Sequence, residues 1–160
     1  MVSLREIHPD DQDRMLDILT SNVVNKTYML PDFDRREDAI PLFERLMALS
    51  KDDGKYVRAI DLDSKLIGFL NQTDTKQQGI ELGYVIHPAF HGHGYMTQAL
   101  DLAMDELFAQ GYRQVNTGAF STNKASIRVM EKCGMILQEL TEEIPYRGQI
   151  HTCIYYAKTK

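Results

Sequence analysis

Apolar residues fall on alternate positions along residues 80–86. Ile80, Leu82, Tyr84 and Ile86 share one face of a predicted strand, and Glu81, Gly83, Val85 and His87 share the other. The period then changes. Met96, Ala99, Leu100, Ala103, Met104, Leu107 and Phe108 recur at intervals of three and four, which places them on one face of a helix that ends at Gln110-Gly111. Upstream, residues 2–7 alternate weakly and read as a first strand. His8-Pro9-Asp10-Asp11 is a turn, with Asp10 the expected N-cap of a helix that carries Met15, Leu16, Ile18 and Leu19. Residues 22–35 show no clean period. A second helix is expected over about 37–50, with Ile40, Phe43, Leu46, Met47 and Leu49 as its stripe.

Strands are expected at 55–60 and 66–70 around the turn 61–64, and residues 72–79 form a polar loop. Downstream, 114–120 reads as a strand, and Ser121-Thr122 is the expected cap of a helix over 123–132 that Gly134 ends. Two last strands, about 136–146 and 149–157, join through Arg147-Gly148. The resulting order, β-α-α-β-β-β-α-β-α-β-β, predicts an α/β domain spanning 1–160, with a central mixed sheet and helices on both faces.

Chemistry concentrates where the period switches. A strand, a short loop with Gly92 and Gly94, and a helix N-terminus make an anion site. The first-turn amides lack helical partners, the helix dipole presents its positive end, and glycines let an anion approach the backbone. A dinucleotide fingerprint does not fit, because Gly92-His93-Gly94 is followed by Tyr95-Met96-Thr97 and the third glycine is missing. A Walker loop is absent as well. His91-Gly92-His93-Gly94-Tyr95-Met96 resembles instead the pyrophosphate loop of the GNAT acetyltransferase superfamily, Q/R-x-x-G-x-G/A. It matches at the central glycine and departs at His91 and Met96. Residues 123–135, which run Asn123-Lys124-Ala125-Ser126 and close on Gly134-Met135, resemble the N-x-x-S…G-[F/M] helix of the same superfamily. Among its branches the ribosomal-protein N-terminal acetyltransferase-like group is the most similar.

That resemblance implies a GNAT fold, a mixed and mostly antiparallel sheet of about seven strands split beside a cofactor cleft. It implies acetyl-CoA as cofactor and transfer of its acetyl group to a primary amine, by direct attack in a ternary complex. The amine belongs to a protein N-terminus or to a small molecule. A non-catalytic acyl-CoA-binding module and a nucleotide-binding regulator are the alternatives. On the cofactor side it implies Val85 and Ile86 backbone pairing with pantetheine, and amides of Gly92, His93, Gly94, Tyr95 and Met96 on the pyrophosphate. Thr97 adds a hydroxyl, Asn123 holds the pantetheine arm, and His91, His93 and Lys124 lend charge. Ser126 would protonate the leaving thiolate and Glu81 would take the amine proton, since an ammonium has no lone pair. Burial on an apolar strand would raise the pKa of Glu81.

Each residue also has a plainer reading: Glu81 as an ion-paired strand residue, Asn123 as a helix cap, Tyr84 as core, and the lysines and arginines of the last helix as a solvated face. In this fold the acceptor would meet residues from the aperiodic stretch and the last hairpin, among them Tyr28, Asp32, Phe33, Asp34, Tyr146 and Arg147. Homodimers are common among proteins of this type.

Composition adds limits. The chain has 160 residues, 43% hydrophobic and 26% charged, enough to bury roughly two-thirds of its unfolded surface. No apolar run has the length of a membrane span, and the first residues lack a signal-peptide core. Cys133 and Cys153 form no C-x-x-C pair, which suits reduced thiols in a cytoplasm. A net charge of -5 argues against nucleic acid and is compatible with a cationic substrate. His91 and His93 lack the partners a metal site needs.

Overall fold

The computed structural model describes residues 1–160. Strands β1 (Val2–Arg5), β2 (Val57–Leu62), β3 (Lys65–Thr73), β4 (Ile80–Ile86), β5 (Gln114–Phe120), β6 (Ile136–Tyr146) and β7 (Gln149–Thr159) form one sheet in the order β1-β2-β3-β4-β5-β7-β6. Helices α1 (Gln12–Leu19) and α2 (Ile40–Ser50) pack on one face against β3 and β2. Helices α3 (Tyr95–Ala109) and α4 (Lys124–Lys132) lie on the other. No helix is long and apolar enough to cross a membrane.

The alternation read from β4 assigns its side chains to two layers. Ile80, Leu82 and Ile86 are buried in the core under α3 and α4, while Val85 is buried in the core under α1 and α2. The α3 stripe from Met96 to Leu107 is buried, and Phe108 packs at its margin. Both tight hairpins use left-handed residues. Asp63 and Ser64 have φ of 51° and 69°, and Arg147 and Gly148 have 51° and 75°. Two consecutive positive φ values match the twist of the flanking strands.

Every neighbouring pair of strands is antiparallel except β4 and β5. That parallel pair needs a crossover, which α3 supplies. Its ladder is short: Ile80↔Val115, Glu81↔Asn116 and Leu82↔Thr117. Beyond it, β4 continues along β3 as far as Ile86, and β5 continues along β7 as far as Phe120↔Cys153. The sheet therefore opens between residues 83–86 and 118–120, beside the N-termini of α3 and α4.

Several boundaries differ from expectation, each for a local reason. Asp10 is exposed and does not cap α1. Asp11 stands at the N-cap but makes no side-chain bond to an α1 amide; its carboxylate instead closes the 3-10 turn in front of the helix, accepting the His8 N–H at 2.7 Å while pairing with Arg5 at 2.8 Å. The second helix begins at Ile40, because Arg36–Ala39 is a 3-10 turn whose Asp38 carboxylate accepts the Arg35 N–H. Strand β2 runs two residues further than expected, to Leu62, because the tight turn uses only Asp63 and Ser64; it starts at Val57. Gly134 ends α4 as expected. Its φ is +77°, its N–H reaches the Glu131 carbonyl, and the Met135 N–H reaches that of Met130.

Candidate active site

The loop after β4 is held from behind. The His87 ring accepts the Ala89 N–H at 3.0 Å, the His91 N–H reaches the Pro88 carbonyl, and the His91 Nε2 meets the Ile86 carbonyl at 3.0 Å. The chain then turns through Gly92 (φ +79°) and Gly94 (φ +76°), which caps α3 in the left-handed region. A Cβ built on either glycine meets no atom within 4 Å. The glycines are therefore required by backbone angle, and the space in front of them is open. From Gly92 to Thr97 no main-chain N–H bonds to any group of the protein, and Gln98 is the first to do so, to Gly94. Six successive donors at a helix N-terminus present a concentrated positive potential to that space. Met96 contributes its N–H only, since its side chain lies in the core. His93 is exposed and stacks on Tyr95 with centroids 5.4 Å apart.

Main-chain groups also face the split from β4. The His87 N–H bonds the Ile67 carbonyl, so the antiparallel parity turns Val85 and other odd-numbered residues to β3. The N–H and C=O groups of Tyr84 and Ile86 point the opposite way, towards the opening, where the Ile86 carbonyl receives His91.

Across the opening stands the first turn of α4. Asn123, not Ser121-Thr122, is its N-cap: the Asn123 Oδ1 accepts the Ser126 N–H at 3.2 Å. Its Nδ2 donates to no group of the protein, so one amide both caps the helix and keeps two donors free. The Ser126 Oγ lies 2.6 Å from the Tyr84 hydroxyl, which comes from β4. Lys124 is exposed, with its Nζ 3.3 Å from the Ser121 carbonyl. Cys133 is buried, its thiol is pushed up to about 12 by burial, and its Sγ–H points at the Thr97 carbonyl, so it is unsuited to nucleophilic chemistry.

On the opposite face, Glu81 is half-buried and accepts a 2.7 Å hydrogen bond from the Thr73 hydroxyl. Burial holds its carboxyl above the ordinary value, and the negative charge of nearby Glu142 pushes the same way. Glu142 itself accepts from Tyr155 at 2.7 Å and from Lys76 at 3.1 Å. Downstream along this face Phe120 stacks on His151 at 4.3 Å, with Tyr146 beside them. The Tyr146 hydroxyl is fully used: it donates to the Asn25 carbonyl at 2.6 Å and accepts from Leu30 N–H and Arg147 Nε. Arg147 also pairs with Asp32. Tyr28 donates to Asn71 at 2.9 Å and meets Phe69 edge-on. It borders a cavity of about 260 Å³ walled by Leu19, Leu30, Leu42 and Leu46. Phe33 packs at the margin of the same core, and Asp34 is exposed. A larger cleft of about 340 Å³, lined by Arg5, Asp52, Lys55 and other polar residues, lies at the Gln110 end of α3, about 24 Å along the helix from Gly94.

The structure thus gathers the loop amides, Ile86, Tyr84, Asn123 and Ser126 at one opening. It sets Glu81, Tyr28 and Tyr146 on the far face. Sequence reasoning favoured the core for Tyr84, and its ring does pack there; the bond from its hydroxyl to Ser126 depends on a contact between positions 42 apart, which no local pattern signals. Asn71, which bonds Tyr28 across 43 positions, was missed for the same reason, whereas Thr73 and Tyr155 were missed because hairpin register sets them beside Glu81 and Glu142.

A family model for the acetyltransferase (GNAT) domain matches residues 2–136. The SPbeta prophage-derived uncharacterized N-acetyltransferase YokL of Bacillus subtilis (strain 168) is 25% identical over 116 residues, a match spanning 70% of this chain and 65% of that protein. The spermidine N-acetyltransferase of Vibrio cholerae, solved with CoA and spermine, superposes with a TM-score of 0.80 at 15% identity, covering 99% of this chain and 95% of that one. A Salmonella typhimurium acetyltransferase that modifies the N-terminal serine of ribosomal protein L7/L12 gives 0.82 at 17% identity, covering 99% and 95%.

Proposed function

The chain belongs to the acetyltransferase (GNAT) family, and from that premise we propose that it is an acetyl-CoA-dependent N-acetyltransferase, moving an acetyl group to a primary amine by direct attack in a ternary complex. One observation carries this reading: six successive unpaired main-chain donors, Gly92 to Thr97, open onto the split in the sheet. A diphosphate matches that array in charge and in donor geometry. The two departures from the family loop do not obstruct it. His91 turns back to β4, and Met96 turns into the core.

On the donor side, the loop amides hold the pyrophosphate of acetyl-CoA. The main-chain groups of Ile86 and Tyr84 and the Asn123 Nδ2 face the pantetheine. A strand N–H at the opening polarises the thioester carbonyl as negative charge develops there. On the acceptor side, Glu81 takes the ammonium proton, directly or through water, so that the nitrogen has a lone pair. Ser126 Oγ gives its proton to the departing sulfur. Tyr28, Phe33 and Tyr146 border the acceptor. Two structural neighbours are named for amine substrates, a polyamine in one and a protein N-terminus in the other. The carboxylates of Glu81 and Glu142 suit a cationic amine of either kind. Two buried, unpaired thiols accord with a reducing cytoplasm, and a homodimer is part of the same reading.

A thiol-release assay over amines and N-terminal peptides, run beside calorimetry with acetyl-CoA, tests the proposal. Binding together with turnover is the expected result. Binding without turnover on any amine makes the protein an acyl-CoA-binding module, and preference for NAD or ATP makes it a nucleotide-binding regulator.

A further inference from the structure

We infer that Tyr84 is a positioning residue that holds Ser126 Oγ with its proton turned to the thioester sulfur; this deepens the acetyl-transfer reading and rests on it. Tyr84 is the first residue of β4 beyond the parallel ladder whose side chain lies on the α3/α4 face. Ser126 stands in the first turn of α4, on the other side of the opening. Their hydroxyls are 2.6 Å apart, and the Ser126 carbonyl lies 3.3 Å from the Tyr84 oxygen.

Each hydroxyl has one hydrogen, so the direction of that short bond decides the chemistry. If Ser126 donated, its proton would be engaged, and Tyr84 would be left with a carbonyl beyond normal O–H···O reach. With Tyr84 as donor, its proton takes the 2.6 Å bond, and Ser126 keeps a free proton that no other group of the protein accepts. Accepting a bond also makes the serine hydroxyl a better donor. Burial keeps the Tyr84 phenol protonated far above neutral pH, so it serves as a donor throughout the working range.

The step balances without a net change at either residue. Nitrogen bonds the acyl carbon, and the carbon–sulfur bond breaks with its electron pair going to sulfur. The Ser126 Oγ proton moves to sulfur, and the proton shed by the new amide nitrogen replaces it on Oγ. Tyr84 keeps its own proton and contributes only the bond that fixes Oγ.

A mutant cycle on turnover tests this, using acetyl-CoA and the best amine from the screen. Tyr84→Phe removes one oxygen and keeps the ring. It is expected to lower kcat about tenfold while leaving the KM for acetyl-CoA unchanged. Ser126→Ala lowers kcat at least as much, and the double variant is no slower than Ser126→Ala alone. If the bond merely ties the two halves of the sheet, Tyr84→Phe raises the KM for acetyl-CoA and leaves kcat unchanged, and if the two residues act independently the losses multiply; any of these results overturns the inference while acetyl transfer stands. No turnover on any amine by the unsubstituted chain, with acetyl-CoA bound, defeats the transferase reading, and the inference falls with it.

Discussion

Asn123 does two things with one amide. Its oxygen caps α4, and its nitrogen remains free at the opening. Substitution separates the two. Asn123→Asp keeps an acceptor for the Ser126 N–H but loses the donors, so acetyl-CoA affinity falls while the melting temperature holds. Asn123→Ala loses both and lowers stability by about 1 kcal/mol as well. Thermal melts beside calorimetry distinguish them, and equal affinity in Asn123→Asp removes the amide from the site. Glu81 is tested by pH. Its carboxyl must be ionised to accept a proton, and burial has raised its pKa. The acid limb of the kcat profile therefore lies above the ordinary value of 4.5. For stability the sign is opposite: a raised carboxyl contributes stability below its unfolded pKa, and that contribution is lost as pH rises through the folded value. Glu81→Gln is expected to lower kcat about 100-fold and to remove the limb, with acetyl-CoA affinity retained. Normal turnover in that variant excludes the base role.

At the scale of elements, periodicity made β4, α3 and β5 readable, because each buries one side against a partner layer. The ranges 80–86 and 114–120 agree with the strands found. The loop between β4 and α3 was readable because left-handed backbone selects glycine at 92 and 94. Capping was less readable. Asp10 and Asp11 adjoin, as do Thr122 and Asn123, and which of two cap-forming neighbours takes the role depends on the path of the preceding strand and on partners such as Arg5. Residues 22–35 had no period because long-range contacts hold them, chiefly those of the Tyr146 hydroxyl from the last hairpin.

Over the whole molecule, the parallel β4–β5 junction divides the work. Its α3/α4 face carries Tyr84, Asn123 and Ser126, and the opposite face carries Glu81 and the aromatic wall. That wall is held by Tyr146, whose hydroxyl bonds both Asn25 and Leu30 across that face. Removing the hydroxyl in Tyr146→Phe should raise the KM for the amine several-fold and leave the KM for acetyl-CoA unchanged, because the anion loop lies on another part of the fold. Steady-state kinetics with each substrate varied in turn reads this out, and an equal rise in both constants would show that the two faces are not independent.

The central claim is that bare main-chain donors at 92–97 grip a diphosphate, and calorimetric titration of acetyl-CoA into the unsubstituted chain and into Gly94→Val tests it most directly. A valine there meets open space but must hold φ near +76°, at a cost of roughly 1–2 kcal/mol, and it projects into the region the anion would occupy. The account predicts saturable binding by the unsubstituted chain and none by a Gly94→Val variant that circular dichroism shows to be folded. Equal affinity in the two proteins, or no heat from the unsubstituted chain at millimolar acetyl-CoA, would contradict it.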